Sequence, residues 1–205
     1  MKIAIIGAGN VGGALAKGWA RAGHSVILGV RDPQSEKIKP LLASENISAQ
    51  TTQSAANEVE ILLIALPINA VVDVLKSLGN LQDKIIIDAT NSVFQKPAPY
   101  ATTFEAIKAL TNCEHVVKCF NSTGFENMEN PQYDETGIDM FIAGSSQRAK
   151  EKATQLAKEL GFAECYDFGG DDKVPLLEQF AFSWINLAIL QKYGRGIAFK
   201  VLKRQ

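Results

Sequence analysis

The sequence predicts a doubly wound α/β domain, one mostly parallel sheet with helices on both faces, followed by a helical tail. Three observations carry this expectation. Short apolar runs alternate with segments of helical period. Most of those runs are apolar on both faces, as strands covered from both sides must be. The first run ends in a glycine-broken turn, Gly7-Ala8-Gly9-Asn10-Val11-Gly12, before a helical pattern begins.

Taken in order, KIAIIG (residues 2–7) reads as the first strand, and from Asn10 the apolar positions Val11, Ala14, Leu15 and Trp19 recur at helical spacing. HSVILGV (24–30) reads as the second strand, with a polar helix expected around 34–44. EILLIAL (60–66), KIIIDA (84–89), HVVKCF (115–120), DMFIAG (139–144) and AECYDF (163–168) are further β-rich runs bounded by turn or polar residues. Helices are expected over 68–79 and 102–110, and in SQRAKEKATQLAKEL the residues Ala149, Ala153, Leu156, Ala157 and Leu160 share one face opposite the charges. After the GGDD turn (169–172), residues 174–193 read as a largely apolar helix, in which Glu178, Gln179 and Asn186 make a poor membrane span. Without a repeat or a Pro-, Gly- or Ser-rich linker, the expected organisation is one domain over 1–205, with 174–205 as a helical C-terminal extension.

Composition excludes several functions. Of the 205 residues 46% are hydrophobic and 21% charged, and a formal net charge of -1 supplies no broad field for nucleic acid or an anionic membrane, so any anion specificity must be local. The N-terminal stretch MKIAIIGAGNVGGALA loosely mimics a secretion signal, but its glycines fit a strand and turn better. Cys113, Cys119 and Cys165 are odd in number and lack a Cys-x-x-Cys pair. This argues against a disulfide framework or a metal site and for reduced thiols in the cytoplasm, with Cys119 a small core residue.

The chemistry starts at the glycine turn. Between a strand and a helix, Gly7 permits the tight bend, Gly9 lets the backbone approach a pyrophosphate and Gly12 lets helix pack on strand, while the helix N-terminus offers free N–H donors to phosphate. The bland alternative is a glycine-rich turn with no ligand. The end of the second strand decides which dinucleotide fits. An NAD site usually has an acid there for the ribose 2′-OH; this chain has Val30 followed by Arg31, and a guanidinium binds a 2′-phosphate through charge-assisted hydrogen bonds. NADP(H) is therefore expected, with Ser35 and Lys37 assisting from the next helix. Against this stands an Arg31 that is merely solvated and neutralised by Asp32.

With these residues in view, the chain resembles the NADPH-dependent coenzyme F420 reductase family, which is similar to the cytosolic oxidoreductase domain of the STEAP metalloreductases. The resemblance rests on the glycine turn, GVRDP at the second strand end, ALP (65–67), DATNS (88–92), VVKCFNSTG (116–124), GSSQRAKEKATQLAKELGF (144–162) and LLEQFAFSWINLAI near the end. It implies a Rossmann-type fold, a 2′-phosphate at Arg31, a pyrophosphate at Gly9, Asn10 and Val11, and a ribose and nicotinamide near Ala65, Leu66, Pro67 and Ala89. It further implies a hydride passed between NADPH and a deazaflavin (F420) or flavin ring. Val30 departs from the serine often found beside the arginine, and GGDD from the usual Gly-Pro-Leu turn.

Asn91, Asn121, Ser122 and Thr123 follow two strand ends, where ligands of open α/β sheets collect, and are the candidates for the acceptor side; turn capping is their alternative. No catalytic residue or triad is expected, because hydride transfer between stacked rings needs alignment more than a protein acid. His24 and His115 read as surface or turn residues, and Asp88 as a helix-capping carboxylate that would otherwise orient the nicotinamide side. Other functions open to the sequence are a non-catalytic NADP(H) sensor and a small reductase of another carbonyl or imine, although little chain follows the last strand to build a substrate domain. The apolar tail residues Phe180, Phe182, Trp184 and Ile185 predict a symmetric homodimer.

Overall fold

The computed structural model describes residues 1–204. The strands and helices run β1 (Lys2–Ile6), α1 (Asn10–Arg21), β2 (Ser25–Val30), β3 (Ile47–Thr51), α2 (Thr52–Asn57), β4 (Ile61–Ile64), α3 (Ile68–Leu78), β5 (Ile85–Asp88), α4 (Thr103–Thr111), β6 (His115–Lys118), α5 (Phe125–Glu129), β7 (Gln132–Tyr133), β8 (Thr136–Gly137), β9 (Met140–Ile142), α6 (Gln147–Glu159), β10 (Cys165–Asp167) and α7 (Val174–Ile185). Six parallel strands form the main sheet in the order β3-β2-β1-β4-β5-β6. The chain builds outward from β1 in one direction and returns to build in the other, so the turns after β1 and β4 part from each other and leave a crevice at the strand ends.

Strand alternation explains why both faces are dry. Ile3, Ile5, Leu63, Ile87 and Val117 point into one core with Leu15 and Trp19 of α1 and Ala153 and Leu156 of α6. Ala4, Ile6, Leu62, Ile64, Ile86 and Val116 point into the other with Val71 and Leu75 of α3, Phe104 and Ile107 of α4 and Leu177 of α7. The central strands β4 and β5 bury every residue in turn, and β1 and β2 nearly so, which is why they read as continuous apolar runs.

The structure departs from the sequence-based expectations in several elements. In place of a helix over 34–44 there is one 3-10 turn, Glu36–Ile38. Pro33 and Pro40 bracket the segment, and six residues between them are too few to nucleate an α-helix. The edge strand β3 and the short helix α2 went unpredicted, because ISAQT buries only Ile47 fully and has no apolar run to announce it. DMFIAG and AECYDF form strands, but β9 and β10 pair with each other in a separate two-stranded sheet, joined to β6 by an antiparallel bridge from Ala143 to Lys118. The last helix is α-helical only to Ile185 and ends in a π-turn over Asn186–Leu190.

Two of the tail residues expected at a dimer face are covered within the chain itself. The Phe180 ring lies 4.6 Å from Phe199 and 4.7 Å from Phe141, and Trp184 is 4% exposed and donates its indole N–H to the Ile197 carbonyl at 2.6 Å. The irregular segment holding Ile197 and Phe199 folds back over α7 and, with Phe141, supplies that cover. His24 is also buried, held between the N-terminal amine and Glu159, rather than lying on the surface. Among the described residues no helix is long and apolar enough to cross a membrane.

Candidate dinucleotide and acceptor site

Because the six main strands are parallel, the turns after β1, β2, β4, β5 and β6 all open on one edge of the sheet, and the ladder bonds continue into them. Gly7 N–H donates to the Gly29 carbonyl at 3.2 Å, Ala65 N–H to Ile6 at 2.9 Å, Ala89 N–H to Ile64 at 3.0 Å and Cys119 N–H to Asp88 at 3.1 Å. These bonds hold Gly7 to Gly12, Val30-Arg31, Ala65 to Pro67, Ala89 to Asn91 and Asn121 to Thr123 along one rim.

The three glycines of the first turn do different work. Gly7 has φ +109°, and a Cβ there would stand 2.3 Å from the Ala65 carbonyl oxygen; a Cβ on Gly12 would stand 1.9 Å from the Gly7 carbonyl oxygen. Both are required by the fold. Gly9 has ordinary extended angles, φ -76° and ψ -164°, and a Cβ there would meet nothing within 4 Å. Its lack of a side chain has no explanation inside the protein, and the open space beside it fits a pyrophosphate. Helix α1 starts at Asn10 with no side-chain cap and no acid in its first turn, so its leading N–H groups stay free for an anion. Ala8 and Val11 are half-buried at the rim.

At the end of β2, Val30 is half-buried and Arg31 exposed. Asp32 does not pair with Arg31; its carboxylate accepts the Gln34 backbone N–H at 2.9 Å, which leaves the guanidinium available. Ser35 stands at the N-cap of the 3-10 turn and Lys37 lies within it, so the two stand on one short turn and not on the expected α-helix.

On the acceptor side Asn91 and Asn121 are locked together: Asn91 Nδ2 donates to the Asn121 carbonyl at 2.8 Å, and Asn121 Nδ2 donates to Asn91 Oδ1 at 3.0 Å. Asn121 is 4% exposed and its Oδ1 has no hydrogen-bond partner. A buried acceptor left unmatched is costly, so this oxygen is suited to an N–H donor from a ligand. Ser122 and Thr123 instead contact other side chains of the protein, and neither caps α5. The Ser122 hydroxyl lies 3.9 Å from the Met140 sulfur, and Thr123 Oγ1 accepts from Asn127 Nδ2 at 2.7 Å.

Sequence reasoning missed the strongest electrostatic feature of this edge. Lys118 is fully buried, with Nζ 2.8 Å from Asp88 Oδ2 and 2.6 Å from Glu178 Oε1. The contact to Glu178 is close but out of line for a hydrogen bond. Burial alone would lower the Lys118 pKa, but the two carboxylates outweigh it and hold the ammonium above its usual range. Asp88 caps no helix, contrary to expectation, since the next helix starts only at Thr103; its carboxylate closes a local turn, accepting from Thr90 N–H at 2.9 Å and Thr90 Oγ1 at 2.8 Å, and is an ion-pair partner besides. The signal was present: one lysine inside HVVKCF and one glutamate inside LLEQFAF are each isolated in apolar surroundings, and such charges survive only when paired.

Helix α7 walls the edge on the β6 side, where Trp184 packs so close to Gly124 that a Cβ there would stand 2.8 Å from the indole. Arg195 lies over the Phe125 and Trp184 rings, 5.2 and 5.5 Å from their centroids, and pairs with Glu126 at 2.5 Å. Two cavities lie apart from the glycine turn. One, lined by residues of 57–60 and 80–84, is at the opposite end of β4 and β5, and the other runs along the flank between α4 and the start of α7. Cys113, Cys119 and Cys165 are unpaired; the Cys119 thiol is pushed well above its usual range by burial, and that of Cys165 is lowered by a hydrogen bond from Cys119.

Comparison with known proteins places this geometry. Over its whole length the fold matches a candidate F420-dependent NADP reductase from Arthrobacter sp. FB24, 23% identical, with a TM-score of 0.85 over 99% of this chain and 100% of that one. A hypothetical protein from Sinorhizobium meliloti is 24% identical, with a TM-score of 0.72 over 100% and 96%. An imine reductase from Streptomyces aurantiacus is 16% identical, with a TM-score of 0.69 over 93% of this chain and 64% of that one. These likenesses are likenesses of fold. The sequence match is narrower and covers the segment from β1 through the turn after β5, which holds the glycine turn, Arg31, the Ala65–Pro67 turn and Asn91. Residues 2–92 match the model of the family described as NADP oxidoreductase coenzyme F420-dependent.

Proposed function

We propose that the protein transfers a hydride between NADP(H) and a flat ring acceptor of the deazaflavin (F420) or flavin type. The observation that carries the reading is the open space at Gly9 beside an uncapped helix, together with an unpaired Arg31 in place of a strand-end acid. Arg31 holds the 2′-phosphate; Gly9, Asn10 and Val11 hold the pyrophosphate by backbone N–H; Ala65, Leu66, Pro67 and Ala89 form the floor under the ribose and nicotinamide. When bound, the dinucleotide supplies the hydride. The chain contributes alignment, exclusion of water and an acceptor oxygen, Asn121 Oδ1, for a carboxamide or ring N–H. No protein acid is required at the transfer, since the acceptor ring exchanges its proton with solvent.

The acceptor lies over the rim between Asn91, Asn121 and the C-terminal end of α7. A second copy of the chain covers the apolar surface that remains exposed just beyond α7, Leu187, Leu190 and Tyr193, giving a homodimer. Three unpaired cysteines suit the reducing cytoplasm. Rapid mixing with NADPH and F420, FMN, FAD or riboflavin, followed by absorbance, tests the reading. NADPH oxidation with one of these rings is expected. Tight NADPH binding with no oxidation by any of them would replace the enzyme reading with that of an NADP(H) sensor.

A further inference from the structure

We infer that the buried Asp88, Lys118 and Glu178 cluster sets the redox preference of the site and favours the oxidised dinucleotide. The inference rests on the NADP(H) reading above. Two carboxylates share one ammonium, with side-chain exposures of 0% for Asp88, 0% for Lys118 and 6% for Glu178. Among the described residues Lys118 is the one cation paired with either acid. The other buried acid near this end, Asp139, has its own balance in Lys200 at 3.3 Å and the Val201 N–H at 2.7 Å. The cluster therefore holds one carboxylate more than it has cations. It stands at the C-terminal end of β5, with Asp88 directly preceding Ala89 in the floor of the site.

Stability does not call for such an arrangement. A buried ion cluster is commonly no better than apolar side chains of the same volume, and a second acid on one lysine adds desolvation without a new partner. Its effect on the reaction has a definite sign. Loss of a hydride, a proton with its electron pair, from the C4–H bond leaves the nicotinamide ring with one more positive charge, while the reduced ring is neutral. An excess carboxylate fixed in a low-dielectric wall attracts only the charged form, so it tightens NADP+ relative to NADPH and makes bound NADPH a stronger donor. Because Glu178 comes from α7, the C-terminal extension acts on the site by charge as well as by shape.

The test is calorimetric titration of NADP+ and NADPH into the full chain and into Glu178→Gln, a change that keeps shape and removes charge. The expected result is a rise in the NADP+ dissociation constant at least about fivefold larger than the rise for NADPH, the size of effect one charge exerts across a partly dielectric wall. Asp88→Asn should move the same ratio in the same direction, and it decides the matter if Glu178→Gln does not fold. A purely structural role predicts that both constants rise together with their ratio unchanged, and so does a cluster in which one carboxylate carries a proton; that result would overturn the inference alone. A wild-type chain that binds neither form overturns the NADP(H) reading and this inference with it.

Discussion

At the scale of single residues, the glycine turn separates what the fold requires from what a ligand requires. Gly7 and Gly12 have no room for a Cβ, whereas Gly9 has room and ordinary backbone angles. Gly9→Val should therefore fold with a thermal midpoint close to that of the parent and lose dinucleotide binding, because the branched side chain fills the pyrophosphate space. Circular dichroism melting with an NADPH titration reads both. A folded variant that binds NADPH normally would place the cofactor elsewhere. Arg31→Asp should weaken NADPH and leave NADH nearly untouched, and the loss should shrink as salt is raised, since Arg31 is exposed and its charge is screened. These residues were legible in the sequence because their spacing follows from backbone geometry. The Asn91–Asn121 lock was legible only as two separate candidates, since 30 residues of chain lie between them and no local pattern joins them.

At the scale of elements, the strands buried on both faces could be read directly, and β3 could not, because an edge strand covered on one side needs few apolar residues. Helix α7 was read as an interface element, but its Phe180 and Trp184 are spent within the chain. It is an integral wall of the second core, and Leu177, fully buried, should cost about 2–5 kcal/mol when changed to Ala; chemical denaturation measures this. The GGDD turn that starts α7 is tied down by Asp171, which accepts the Ser145 N–H at 2.7 Å and pairs with Lys108 at 2.5 Å. Burial pushes the Asp171 pKa up, but Lys108 and Ser145 outweigh it and hold the carboxyl below its ordinary value of 3.8. A depressed folded-state pKa contributes stability above the unfolded value, and that contribution is lost as pH falls through the folded one. Acid unfolding should accordingly steepen below about pH 4, and Asp171→Asn should flatten that limb and lower stability at neutral pH.

At the scale of the whole molecule, the N-terminal segment that matches a family model and the C-terminal part of the chain meet at Lys118. Its partners, Asp88 and Glu178, come from these two parts of the chain, so the pairing was invisible in sequence although each charge was conspicuous in its own apolar run. The exposed apolar residues that follow α7, Leu187, Leu190 and Tyr193, predict a dimer in light scattering, and a strict monomer at micromolar concentration would remove that proposal. The central claim is narrower: the strand-end rim is an NADP(H) site, with Arg31 reading the 2′-phosphate. Calorimetric titration of NADPH and NADH under identical conditions tests it most directly. A dissociation constant for NADPH at least about tenfold below that for NADH is the predicted result, one charge-assisted phosphate contact being enough to supply it; equal constants, or no binding of either, would contradict it.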